Sequence, residues 1–130
     1  MYEAITRGIR VCVEPKFLED QSRPSDGRYF WAYTITLENL SQQIVTLKSR
    51  HWKITDAHGR LQEVKGDGVV GEQPRLSPGS SFSYTSGCPL TTPHGMMVGS
   101  YQMLADDGER FDIAIPLFSL DSPHDSHSVN

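Results

Sequence analysis

The sequence predicts an all-β chain, a two-sheet sandwich of about seven strands. Three observations carry that reading. Apolar residues recur at alternate positions in several short runs, turn formers separate the runs at spacings of roughly 8 to 12 residues, and no segment sustains the 3.6-residue period of an amphipathic helix. With 130 residues the chain has single-domain length, enough to bury roughly two-thirds of its unfolded surface. The domain is expected to occupy residues 1–120, with a polar tail over 121–130.

Ile9, Val11, Val13 and Phe17 fall on odd positions with Arg10, Glu14 and Lys16 between them, the pattern of a half-buried strand. Pro15 has no N–H to give a neighbour, so this strand belongs at an edge or carries a bulge. Residues 21–28 are polar and contain Pro24 and Asp26-Gly27, which marks a long connection. Tyr29, Trp31, Tyr33, Ile35 and Leu37 then share one face of a clear strand, and Thr34, Thr36 and Glu38 the other. Residues 44–56 are again β in composition, yet Val45 and Leu47 are odd while Trp52 and Ile54 are even. A one-residue slip turns side chains to the opposite face, so a bulge or a change of sheet is expected between Lys48 and His51.

Asp56-Ala57-His58-Gly59 reads as a hairpin turn into a strand over 61–64. Ser77-Pro78-Gly79 turns the chain into a strand around Phe82 and Tyr84, followed by an irregular passage through Ser86-Gly87-Cys88-Pro89 and Thr91-Thr92-Pro93. Met97, Tyr101 and Met103 mark the next strand. Asp106-Asp107-Gly108-Glu109 makes a tight turn into the last, whose inward residues are Phe111, Ile113, Ile115 and Leu117. The set fits an immunoglobulin or fibronectin type III-like β-sandwich. The tail has no periodicity and is expected to be disordered.

The formal net charge is −4, which argues against sequence-independent binding to DNA or RNA. No apolar run approaches the roughly 20 residues of a membrane span, and residues 1–10 lack the apolar core of a signal peptide. The expected location is the cytoplasm, without membrane attachment. Cys12 and Cys88 are far apart and lack Cys-x-x-Cys spacing, so a pair of buried free thiols is favoured over a disulfide.

The stretch 66–74, Gly-Asp-Gly-Val-Val-Gly-Glu-Gln-Pro, is the most unusual in the chain. Gly66, Gly68 and Gly71 match Gly-x-Gly-x-x-Gly, a fingerprint that needs a following helix to receive a pyrophosphate. The β-branched Val69 and Val70, with Pro74 and Pro78 close behind, do not allow that helix. The acidic residue expected roughly 20 positions on is absent, and Glu72 stands where a Walker A lysine would be. Backbone N–H groups of a glycine-rich nest remain available to an anion, with Lys65 or Arg75 assisting. The favoured reading is a loop that shapes a recognition surface, with Gly66, Gly68, Gly71, Glu72 and Pro74 as candidate binding residues.

Arg50-His51-Trp52 is the second candidate cluster. Trp52 belongs in the core beside Ile54, with Arg50 paired to a carboxylate such as Asp56. Alternatively the bulge turns Arg50 or His51 outward next to the glycine-rich loop. Catalytic signatures are missing: there is no Gly-x-Ser-x-Gly elbow and no His-Glu-x-x-His. A nucleophile at Ser86 or Cys88 would need His51 or His94 as its base. His51, His58, His94, His124 and His127 form no ligand quartet, so no metal site, cofactor or catalytic residue is assigned.

The motifs Arg50-His51-Trp52-x-Ile54-x-Asp56-x-x-Gly59, the 66–74 loop, Ser77-Pro78-Gly79, Tyr84-Thr85-Ser86-Gly87, Gly95-Met96-Met97-x-Gly99-x-Tyr101 and Ile115-Pro116-x-Phe118-x-Leu120 together resemble the ApaG family, from Ile5 to Leu120. The resemblance implies a fibronectin type III-like sandwich and a non-enzymatic module that binds proteins. It also implies a bacterial association with diadenosine tetraphosphate metabolism and with cobalt and magnesium homeostasis. The expected partner is a protein, with a monomer or weak homodimer as the assembly. The alternative is a phosphate-containing small ligand, pyrophosphate or a dinucleoside polyphosphate, at the glycine-rich loop.

Overall fold

The computed structural model describes residues 1–124, so residues 125–130 of the expected tail, His127 among them, lie outside the described residues. The strands are β1 (Tyr2–Thr6), β2 (Ile9–Phe17), β3 (Tyr29–Asn39), β4 (Val45–Asp56), β5 (Leu61–Asp67), β6 (Arg75–Leu76), β7 (Ser81–Leu90), β8 (Gly95–Ala105) and β9 (Arg110–Leu120). All pairings are antiparallel, in two sheets ordered β1-β2-β3-β7 and β5-β4-β8-β9, with β6 also paired to β4. The expected sandwich is present. β1 and β6 are additional to the seven expected strands. The only helical segments among the described residues are short 3-10 turns, Glu19–Gln21 and Pro24–Asp26, and none is long and apolar enough to cross a membrane.

Alternation explains the layers. Trp31, Tyr33, Ile35 and Leu37 of the central strand β3 are buried against Trp52, Met97, Tyr101 and Phe118 of the other sheet. Trp52 meets Tyr33 and Phe118 edge-on, with ring centroids 5.4 and 5.9 Å apart, an arrangement that aromatic quadrupoles favour. Pro15 pairs with Tyr33, but β1 ends opposite Val13, so the proline occupies the edge portion of β2.

Several local expectations change. The β4 irregularity lies between Leu47 and Ser49, at the start of the expected interval. Ser86-Gly87-Cys88-Pro89 is no irregular passage: it continues β7, where it pairs with β3 down to Leu90. Pro89 is tolerated because β7 is the last strand of its sheet. Leu117 is 55% exposed instead of buried. A register shift opposite Met97 and Gly99 inserts extra chain into β9, so inward parity passes from Ile113 and Ile115 to Phe118 and Leu120. At the start of the expected tail, Trp31 Nε1 donates to Asp121 O (2.8 Å), and His124 packs against Phe17 and Tyr29.

The two long sides of the sandwich differ. On one, β1 crosses to β9 through Tyr2 Oη with Ser119 Oγ (2.8 Å), Ala114 N–H to Thr6 Oγ1 (3.1 Å), and a two-pronged Arg7–Glu109 pair at 2.8 and 2.9 Å. On the other, β5 and β7 are both terminal strands and leave the inter-sheet space open. The glycine-rich loop lies on that open side, between β5 and β6.

Candidate interaction site around the glycine-rich loop

The loop is an excursion between two pairings of one strand. β4 pairs with β5 over Ser49 to Thr55 and with β6 at Val45 and Thr46, so the loop leaves and regains the same edge across the bulge at Lys48. The bulge withdraws Lys48 from the β8 ladder, and its carbonyl accepts from Gly68 N–H and Gln73 Nε2, each at 2.8 Å. Leu47 N–H donates to Pro74 O (3.0 Å). These three bonds tie the bulge to the entry and the exit of the loop.

Within the loop Val69 and Glu72 exchange backbone hydrogen bonds of 2.8 Å in both directions. Val70 (φ 41°) and Gly71 (φ 81°) are both left-handed, as a tight I′-like turn requires. Gly68 has φ 61°, and a Cβ there would stand 2.2 Å from Glu72 O. Val69 is buried and anchors the turn, while Val70 is 55% exposed and forms its tip with Gly71 and Glu72.

The register places Arg50 opposite Gly66. Beyond the bulge even positions face inward, so Arg50 shares the inner face with Trp52 and Ile54. Its guanidinium takes the space of the absent Gly66 side chain, where a Cβ would lie 2.9 Å from Nη2. Nη1 donates to Asp67 O (3.0 Å) and Gly68 O (2.8 Å), pinning the entry to the loop. The expected Arg50–Asp56 pair is not made. Asp56 accepts from the N–H groups of His58 and Arg60 and from Arg60 Nε at 2.8 Å. Burial raises the Asp56 carboxyl, but those donors outweigh it and hold it below the ordinary range.

His51 turns to the outer face, so the two candidates of the Arg50-His51 pair lie on opposite sides of one sheet. His51 Nε2 is 2.8 Å from Glu63 Oε2 on β5. An ionised carboxylate only accepts, so the ring nitrogen donates and holds Glu63 below its ordinary range. A shallow depression of about 410 Å³ beside the loop is lined by Ser49, Arg50, His51, Lys65, Gly66, Asp67 and Gln102.

The Cys88–His51 pairing of the catalytic alternative is not made. Cys88 lies between the sheets, and burial pushes its thiol up to about 11, the reverse of what a nucleophilic cysteine needs. His51 faces away from it, bonded to Glu63. His124 is engaged with Glu19 at 2.9 Å. Among the described residues no group of three His, Cys, Asp or Glu side chains is placed to hold a metal ion.

The loop also spends three of its own donors. The N–H groups of Gly68, Val69 and Glu72 all bond inside the protein, and the chain continues into β6 instead of a helix. Arg75 lies 3.4 Å from Asp106, away from any phosphate cradle. Neither the Arg50–Gly66 exchange nor the Lys48 carbonyl is visible as a motif. The even parity shared by Arg50, Trp52 and Ile54 is the one sequence signal for the first.

The ApaG domain profile matches residues 19–105. "Protein ApaG" of Brucella anthropi and of Bradyrhizobium diazoefficiens are each 58% identical over 130 residues, covering 100% of both chains. "Protein ApaG" of Methylorubrum extorquens is 60% identical over 124 residues, 95% of each chain. Among solved structures, the putative ApaA protein of Bordetella pertussis superposes with a TM-score of 0.87 at 46% identity, over 89% of this chain and 94% of that one. By domain profile, full-length sequence identity and sandwich geometry, the chain belongs to the ApaG family.

Proposed function

We propose that the chain is a non-enzymatic protein-interaction module whose contact surface centres on the 66–74 loop. The observation that carries this reading is the loop's internal satisfaction. Its turn is closed by paired hydrogen bonds, pinned by Arg50 and anchored by Val69, while Val70 and Glu72 project. A surface already ordered before contact loses little entropy on binding. The same bonds engage the N–H groups of Gly68, Val69 and Glu72, three of the donors that a phosphate nest here would use, which favours a protein partner over pyrophosphate or a dinucleoside polyphosphate. Such a module would act on diadenosine tetraphosphate metabolism, or on cobalt and magnesium homeostasis, through its partner in the cytoplasm.

The test is affinity capture with the wild type, Val70→Asp and Glu72→Lys, with circular dichroism as the folding control. Both substitutions alter exposed side chains, and both are expected to lose the same specific partner while remaining folded. Retention of every specific partner by both folded variants removes the loop from the interface. A parallel thermal-shift assay with pyrophosphate and diadenosine tetraphosphate is expected to show no change. Stabilisation by about 2.7 kcal/mol at a hundredfold excess over Kd would instead support the phosphate reading.

A further inference from the structure

On the open side of the sandwich, away from the loop tip, the start of β5, the end of β7 and the start of β3 line a half-open cavity of about 500 Å³. That lies within the roughly 300–1,000 Å³ of small-molecule sites. Half of its lining is apolar or aromatic: Tyr29, Phe30, Ile54, Leu61, Pro89 and Leu90. Leu61 is 60% exposed at the lip, an apolar surface that an occupant would cover. A narrower space of about 210 Å³, lined by Tyr33, Trp52, Val64 and Cys88, shares Ile54, Gln62 and Pro89 with this cavity and runs towards Arg50.

The charges of the wider cavity do not balance. Arg28, Arg60 and Asp56 line it. Asp56 is fully engaged by Arg60 Nε at 2.8 Å and by two backbone N–H groups. Arg28 forms no ion pair among the described residues, although the protein as a whole carries a net charge of −4. A solvent-facing guanidinium without an ion pair, beside an apolar and aromatic wall, is an arrangement that recognises a single anionic group on an apolar body.

We propose that this cavity binds a small amphipathic organic anion, its apolar body against Tyr29, Leu61 and Leu90 and its carboxylate or phosphate on Arg28. The site is separate from the 66–74 loop and does not rest on the loop's role in partner binding. The two fail independently, because one is read by ligand titration and the other by partner capture.

The experiment is a ¹H–¹⁵N correlation titration of the full chain with 2-naphthoate, 2-naphthyl phosphate and the neutral 2-naphthamide. Both anions are expected to saturate and to shift the amides of Arg28, Leu61 and Leu90. The neutral probe should bind about tenfold more weakly, the worth of one charge-assisted hydrogen bond. Arg28→Gln should weaken both anions about tenfold, and Leu61→Glu, at an exposed position, should abolish binding without unfolding the chain. Tighter phosphate than carboxylate binding assigns the site to phosphomonoesters and the reverse assigns it to carboxylic acids; either supports the anion site. The proposal is overturned if neither anion saturates at millimolar concentration, if naphthamide binds as tightly as they do, if Arg28→Gln leaves affinity unchanged, or if the shifts centre on residues 66–72.

Discussion

Arg50 and His51 illustrate how much one position of parity decides. They are adjacent in sequence, yet one guanidinium fills the space beside Gly66 while the other side chain reaches Glu63 on the outer face. The second contact has a pH signature. The His51 ring holds Glu63 below its ordinary carboxyl value of 4.5. A depressed folded-state value means that this contribution to stability is complete above the unfolded value and is lost as pH falls through the folded one. His51→Phe is therefore expected to return the Glu63 carboxyl towards 4.5 in a ¹³C NMR titration. It should also flatten the acid limb of the stability curve, whereas an unmoved Glu63 would rule out the contact in solution.

At the scale of elements, the loop and the β4 bulge form one device, and its glycines are not equivalent. Gly71 has φ 81° and open space, with nothing within 4 Å, where a Cβ would stand; at Gly68, φ 61°, a Cβ would meet Glu72 O at 2.2 Å. Gly71→Ala should cost only the left-handed backbone penalty, about 1–2 kcal/mol. Gly68→Ala should cost roughly 3 kcal/mol, because the Val69–Glu72 turn must also shift. Urea unfolding of both variants measures the difference, and equal costs would contradict the tight turn. Much of this was legible in the sequence: the parity slip between Leu47 and Trp52 announced the bulge, and Pro74 and Pro78 excluded a helix. β1 was not legible, because it is short and none of its residues is fully buried. The continuation of β7 was hidden by Gly87 and Pro89, which act as breakers except at a sheet edge. Leu117 was misplaced because the β9 register shift has no local sequence signature.

For the whole molecule, the closed β1–β9 side and the open β5–β7 side set where contact can occur. From Leu76 to Ala105 the chain contains no Asp, Glu, Lys or Arg, so β7 lies at its sheet edge without the charges that usually guard one. Its outer face instead carries hydroxyl pairs with β3, Thr34 with Thr85 at 2.8 Å and Thr36 with Ser83 at 2.7 Å. Thr85→Lys is expected to slow heat-induced aggregation, followed by light scattering, while changing stability by no more than about 0.5 kcal/mol. An unchanged aggregation rate would mean that another surface nucleates association. The sandwich follows from strand count and pattern, but its open side and the cavity beside Arg28 depend on which strands end each sheet, a long-range property that alternation does not encode.

The placement of the two tryptophans has an optical consequence. Trp31 belongs to one sheet and Trp52 to the other, and both are buried. Each sheet thus carries its own fluorophore. Separation of the layers would shift both emissions to the red, whereas an occupant of the narrow space beside Trp52 would change that emission and leave Trp31, tied to Asp121 O, as the internal reference.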